Sequence, residues 1–155
     1  MKAEFLAGKF AQAMTYERYV AGGTDEQVRR WQQVYEAARL TEAQRQLVAS
    51  FVRPMKLLVI SGIWCGDCVQ QCPLIARIAE ANSKCISLRL VERDQHRDLI
   101  EPLRINSGDR VPVVLFLAED FELCSVYGER TLSRYRALAN RQLGPACPTG
   151  IVGPD

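Results

Sequence analysis

The sequence predicts an α/β protein: a mixed four-stranded sheet flanked by helices, with an N-terminal helical extension. Three observations carry this prediction. Apolar residues recur at helical spacing through residues 1–53, and the pattern then switches at Met55 to compact apolar runs. From there the order β-α-β-α-β-β-α combines a parallel crossover unit with a hairpin, which makes the sheet mixed.

Each element has a local reason. Phe5, Leu6, Phe10, Ala13 and Met14 lie on one helical face, and Gly22-Gly23 is expected to stop that first helix. Thr24 opens the next helix, with Gln27 three residues on. In this capping-box pattern hydroxyl and side-chain amide each satisfy an orphan backbone N–H. Val28, Trp31, Val34, Tyr35 and Ala38 form its apolar face, and Thr41 with Gln44 repeats the cap for a third helix. The stripe is expected to bury against the main domain; a partner-docking surface is the alternative.

"MKLLVI", from Met55, is a short apolar run of the kind found in buried parallel strands. "VQQCPLIARIAEAN" reads as a helix, with Val69, Cys72, Ile75, Ala76 and Ala79 on its apolar face. Residues 85–92, "CISLRLVE", read as a second strand. Asp94 is placed to cap a short helix whose Leu99, Ile100 and Leu103 face inward, with Pro102 near its end. "NSGD" (106–109) is a loop. Residues 111–128 read as two strands joined at Glu119-Asp120. Thr131 starts a last helix ending at Gly144, and the Pro- and Gly-rich residues 145–155 are expected to fray.

The 155 residues fit one main domain (54–144) with a helical segment (1–53) before it and a tail (145–155) after it. A hydrophobic content of 48% supports a real core without staples. The 20 basic and 18 acidic residues are scattered, with no basic block, which argues against nucleic acid as partner. Charges at Lys2, Glu4, Lys9, Glu17 and Arg18 interrupt the N-terminus, so no secretory signal is expected. "LLVI" and "VVLFLA" are too short to cross a bilayer. A cytoplasmic location is therefore expected, where six cysteines are not read as a structural disulfide framework.

Three of those cysteines fall in "SGIWCGDCVQQCPLI". Cys65 and Cys68 form a C-x-x-C pair between a strand and a helix. The N–H groups and dipole at a helix start favour a thiolate, so Cys65 is expected to have a lowered pKa. The thiolate is the species that attacks a disulfide. Cys68, one turn further on, is expected to be better covered and to act as the resolving thiol. Cys72 shares a helix face with Cys68. It is read as a small buried hydrophobe, with a second resolving partner and a metal ligand as alternatives. His96 and Cys147 lack motif spacing to the trio, and His96 reads as a solvated residue of a helix first turn. Cys85 and Cys124 are expected in the core. Glu92, Asp94 and Asp98 read as solvated surface or helix caps.

"WCGDC" resembles the W-C-G-P-C active-site motif of the thioredoxin family. Pro73 matches the proline that members carry five residues after the second cysteine, and "RVPVVLFL" is similar to the segment bearing the family's cis-proline, here Pro112. Gly128 matches a glycine near the family's substrate-binding surface. The resemblance covers residues 55–143. It implies that Trp64 flanks the nucleophile, that Val111 offers backbone hydrogen bonds to an extended substrate, and that Gly66, Asp67, Pro112 and Gly128 complete the binding surface. Three departures stand out. Asp67 replaces the usual proline between the cysteines. Val59 stands where typical members carry a buried acid, so that proton shuttle is missing. The family's usual first strand and helix give way to the helical N-terminus.

The expected activity is thiol–disulfide exchange at Cys65 and Cys68 with disulfide-containing protein substrates. No organic cofactor is needed, and a reductase or small thiol would restore the dithiol. The alternatives are a metal- or iron–sulfur-binding module using Cys65, Cys68 and Cys72, and a non-catalytic binding adaptor.

Overall fold

A computed structural model describes residues 1–143. The sheet is four-stranded and mixed, in the order β2-β1-β3-β4. Strand β1 (Met55–Ser61) pairs in parallel with β2 (Ile86–Glu92) and antiparallel with β3 (Val113–Leu117); β3 pairs antiparallel with β4 (Leu123–Gly128). Helix α5 (Gly66–Ala81) makes the crossover between β1 and β2. The parallel register places Ser61 opposite Glu92, so both strands deliver polar side chains at the same end of the sheet.

Before the sheet come α1 (Ala3–Gln12), α2 (Tyr16–Ala21), α3 (Asp25–Ala37) and α4 (Glu42–Ala49). Both expected capping boxes are present: Thr24 accepts from the Gln27 N–H, Thr41 from the Gln44 N–H, and each glutamine returns the bond. Each cap is worth about 1 kcal/mol. The first expected helix, however, is two. Met14 is extended and exchanges backbone bonds with Leu90 of β2, and Thr15 then N-caps α2 by accepting from the Arg18 N–H. Pairing with a strand edge outweighs continued helix there.

After β2 the chain makes a 3-10 turn (Arg93–Gln95), a short helix α6 (Arg97–Ile100) and a second 3-10 turn (Glu101–Leu103). Leu99 and Ile100 are wholly buried. Asp94 does not cap this segment; its carboxylate pairs with Arg93, and His96 occupies the N-cap without a side-chain bond. Helix α7 (Leu132–Leu143) follows β4. Its expected stop at Gly144, the tail and Cys147 lie outside the described residues.

One core cluster joins Leu6, Tyr16, Tyr19, Val20 and Trp31 of the N-terminal helices to the central strands and to Cys68, Cys72 and Ala76 of α5. Trp31 is wholly buried, edge-on to Tyr19, and its indole N–H donates to the Ile63 carbonyl at 2.9 Å. Arg77 of α5 stacks on Tyr35 of α3 and donates to its carbonyl. No residue of edge strand β4 is buried, and Cys124 is exposed, contrary to the core placement expected for that residue. Cys85 is half-buried just before β2.

Among the described residues no helix is long and apolar enough to cross a membrane.

Candidate active site

The site forms where β1 ends and α5 begins. Gly62 turns the chain beneath the indole of Trp64: a Cβ at Gly62 would lie 2.8 Å from that ring. Trp64 itself is 48% exposed, and the Arg93 guanidinium sits over its face at 4.7 Å. Cys65 is the N-cap residue of α5 and is half-buried, while Cys68 is wholly buried one turn on. Pro73, inside α5, lacks the N–H that would have bonded the Val69 carbonyl.

Around the pair the polar contacts are few. The Cys65 thiol donates to the Val111 carbonyl at 3.5 Å, and the Gly62 N–H donates to Cys68 Sγ at 3.5 Å. The Val111–Pro112 peptide is cis. Gly128 lies against it, where a Cβ would come 2.6 Å from the Pro112 carbonyl oxygen. Trp64, Cys65, Gly66, Asp67, Cys68, Val111, Pro112 and Gly128 thus come from three chain segments: the β1–α5 turn, the entry to β3 and the end of β4. Cys72 is buried beneath Cys68, with its sulfur 3.7 Å from the Ser61 hydroxyl. Among the described residues no group of three or more His, Cys, Asp or Glu is arranged to hold a metal ion.

In the reduced pair both thiols are pushed upward. For Cys65 the hydrogen bond shared with Cys68 comes first, then burial; the backbone N–H groups of Cys68 and Asp67 act in the opposite direction. For Cys68 burial comes first. The lowered Cys65 thiol expected from the helix start is therefore corrected: partial burial and the shared proton outweigh the N–H groups, and the thiols titrate as a coupled unit.

Asp67, the residue between the cysteines, is not a bare charge. Arg130 binds its carboxylate at 2.7 Å and Arg134 approaches at 3.5 Å. Arg130 also reaches the buried carboxylate of Glu129, which accepts from Arg110 and from the Tyr135 hydroxyl. Gln71 of α5 donates to the Glu129 carbonyl and accepts from Tyr127. A polar lattice thus ties the start of α5 to the end of β4 and to α7. Asp67 was singled out by the sequence, but its partners Gln71, Glu129, Arg130 and Arg134 were not.

Val59 is wholly buried among apolar side chains. An acid does reach the turn that precedes Cys65, but from β2. Glu92 Oε2 accepts from the Tyr19 hydroxyl at 2.7 Å and from the Ile63 N–H at 3.2 Å, while its Oε1 is buried without a partner. The solvated reading of Glu92 is thereby overturned. The available signal was its place at the carboxyl end of a strand parallel to the one that precedes Cys65, where α/β sites gather.

The family model described as "Thioredoxin" matches residues 13–139 of this chain. The chain belongs to the thioredoxin family. The match takes in α2, α3 and α4 as well as the sheet. Among solved structures, this thioredoxin-family protein is similar to a protein of unknown function from Pseudomonas aeruginosa, with TM-score 0.73 and 22% identity over 87% of this chain and 85% of that one. An HIV epitope scaffold gives TM-score 0.70 and 22% identity, covering 86% and 85% of the two chains. The germline-specific thioredoxin Deadhead from Drosophila melanogaster gives 0.44 and 15% over 64% and 90%. At these identities the first two likenesses are of fold. No curated protein matches the chain.

Proposed function

We propose that this protein is a thiol–disulfide oxidoreductase that exchanges a dithiol for a disulfide at Cys65-Gly66-Asp67-Cys68 with protein substrates. The observation that carries the reading is the asymmetry of the pair: Cys65 reaches the surface at the start of α5, and Cys68 is buried directly behind it. A substrate disulfide can reach only the first sulfur; only the second is sheltered from competing disulfides.

The cycle follows from that asymmetry. Cys65, as thiolate, attacks one sulfur of the substrate disulfide. A mixed disulfide forms, and the other substrate sulfur leaves with the bonding electron pair. Cys68, deprotonated, attacks Cys65 Sγ; the Cys65–Cys68 bond forms and the second substrate sulfur departs. The substrate is reduced by two electrons and the protein oxidised by two. A reductase or a small thiol then restores the dithiol, consistent with a reducing, cytoplasmic setting.

Neighbouring groups position the substrate. The Val111 carbonyl, within reach of Cys65, serves as a backbone acceptor for an extended segment, and Pro112 lacks the N–H that would compete for the thiolate. Trp64 and Gly66 form the exposed rim, Gly66 leaving open space above it and Gly128 allowing close approach at Pro112. Asp67, held by Arg130, keeps its charge compensated while Cys65 ionises.

Reduction of insulin by dithiothreitol tests the reading. Wild type accelerates precipitation of the insulin chains, and Cys65→Ser reduces the rate to that of dithiothreitol alone. Equal acceleration by both proteins overturns the assignment.

A further inference from the structure

Past the rim at Gly66 the surface continues into an open groove of about 860 Å³. Arg30 of α3 lines it, with Gly66, Asp67, Gln70 and Leu74 of α5 and Arg134 of α7. Gly66 follows Cys65 in the chain, and a Cβ there would meet nothing within 4 Å. The groove is therefore not closed off at its cysteine end. From Gly66 to Leu74 it follows α5 for about 12 Å, given the helical rise of about 1.5 Å per residue. An extended chain covers that length in about four residues.

The charges facing the groove are unbalanced. Arg30 and Arg134 are cations and Asp67 is the one carboxylate in the lining. Arg130, outside the lining, already holds that carboxylate at 2.7 Å. Arg134 keeps only a 3.5 Å contact with Asp67, and among the described residues Arg30 has no acidic partner. Each guanidinium presents its N–H donors in a planar fork that fits a carboxylate at two points. Leu74 adds an exposed apolar side chain, and Gln70 an exposed amide. An extended polypeptide fits this lining best. It spans the length, its backbone can bond the amide, and it can enter from a cysteine held at Cys65.

We propose that this groove binds an acidic stretch of the substrate, within about four residues of its reacting cysteine, with carboxylates on Arg30 and Arg134. The proposal rests on the reading of Cys65 as the attacking sulfur and adds a substrate class to it. Preferred substrates carry aspartate or glutamate beside the disulfide. A basic flank sets like charges together at Arg30 and Arg134, which disfavours it. Arg30 comes from the helices that precede the sheet, so that segment takes part in recognition as well as in the core.

The test uses oxidised dimers of three single-cysteine peptides. The first carries glutamates on both sides of the cysteine, within about four residues, and the second carries glutamines there. The third carries its glutamates about ten residues away, beyond the length of the groove. Full-length reduced protein is mixed with each dimer, quenched in acid and resolved by chromatography. Each second-order rate is divided by that of dithiothreitol with the same peptide, which removes the peptide's own reactivity. Wild type is expected to favour flanking glutamates over glutamines about fivefold, the order that two exposed guanidinium–carboxylate pairs supply. Remote glutamates gain less than about twofold on the same scale. Arg30→Gln lowers the fivefold preference to about twofold, and Arg30→Glu abolishes or reverses it. The preference is a ratio within one protein, so a general loss of activity cancels, and circular dichroism confirms that both variants are folded. A wild-type ratio near one, an equal gain from remote glutamates, or a ratio unchanged by Arg30→Glu overturns the subsite. A wild-type protein that reduces none of the peptides, or a Cys65→Ser variant that reduces them as fast, overturns the exchange reading, and the subsite falls with it.

Discussion

Replacing Trp31 by alanine measures how strongly the N-terminal helices hold the active-site turn. Trp31 is wholly buried, borders Tyr16 and Tyr19, and donates its indole N–H to the Ile63 carbonyl, one residue before Trp64. Removing the ring loses its transfer free energy and leaves a cavity, about 3–5 kcal/mol together. The Ile63 carbonyl also loses its donor, and an orphaned buried acceptor costs about 1–3 kcal/mol, less if water enters the cavity. A loss of about 4 kcal/mol is a large share of the ~5–15 kcal/mol that holds a typical domain together. With a urea slope of about 2 kcal/mol per molar, the midpoint falls by about 2 M. Trp31→Phe keeps most of the apolar contact and loses the donor, so its midpoint falls by less than about 1 M. Far-UV circular dichroism against urea reads both. The reasoning fails if Trp31→Ala unfolds within about 0.3 M of wild type, or if the two variants are indistinguishable.

Three further outcomes are expected. Gly128→Ala drives a methyl group to 2.6 Å from the Pro112 carbonyl, where backbone cannot yield, and costs about 1–3 kcal/mol in urea unfolding; wild-type stability would show the approach to be looser. Cys72→Ala removes a small buried sulfur, costs about 1 kcal/mol and retains insulin reduction within a few-fold; a loss as deep as that of Cys65→Ser would place Cys72 in the chemistry. His96 has a pKa lowered first by burial and then by Lys9, whose amino group lies 3.3 Å from Nδ1, with Asp98 opposing. The unfolded chain therefore takes up this proton before the folded one, and stability declines as pH falls below the ordinary histidine value of about 6.5. His96→Gln flattens that decline between pH 6.5 and 5, whereas an unchanged slope would assign it to other groups.

Legibility followed the range of the interaction. The two capping boxes involve residues three apart, and each was readable from Thr-x-x-Gln alone. Cys65 and Cys68 were placed by the change from strand to helix period around them. The break between α1 and α2 was missed because apolar spacing continued through Ala13 and Met14, although Thr15 was there to mark a new start. Cys124 was misjudged because strand pattern does not reveal that β4 is an edge. Glu92 was hidden for a further reason. A lone acid at a strand end looks solvated, and its partner Tyr19 is 73 positions away. The Asp67–Arg130 pair spans 63 positions and leaves no periodic trace.

That pair also shapes what an approaching molecule meets before contact. Asp67 is matched by Arg130 and shared with Arg134, Arg30 lines the same groove, and Arg93 covers Trp64. Along the groove beside Gly66, two arginines, Arg30 and Arg134, thus face one carboxylate, Asp67. Fields of this kind reach about 10 Å at 0.1 M salt and steer diffusional encounter. On the proposed reading, disulfide-bearing partners with acidic faces are expected to arrive faster as salt is withdrawn, and those with basic faces more slowly. Under that proposal, selection among substrates would begin in the solvent, ahead of any exchange of sulfur.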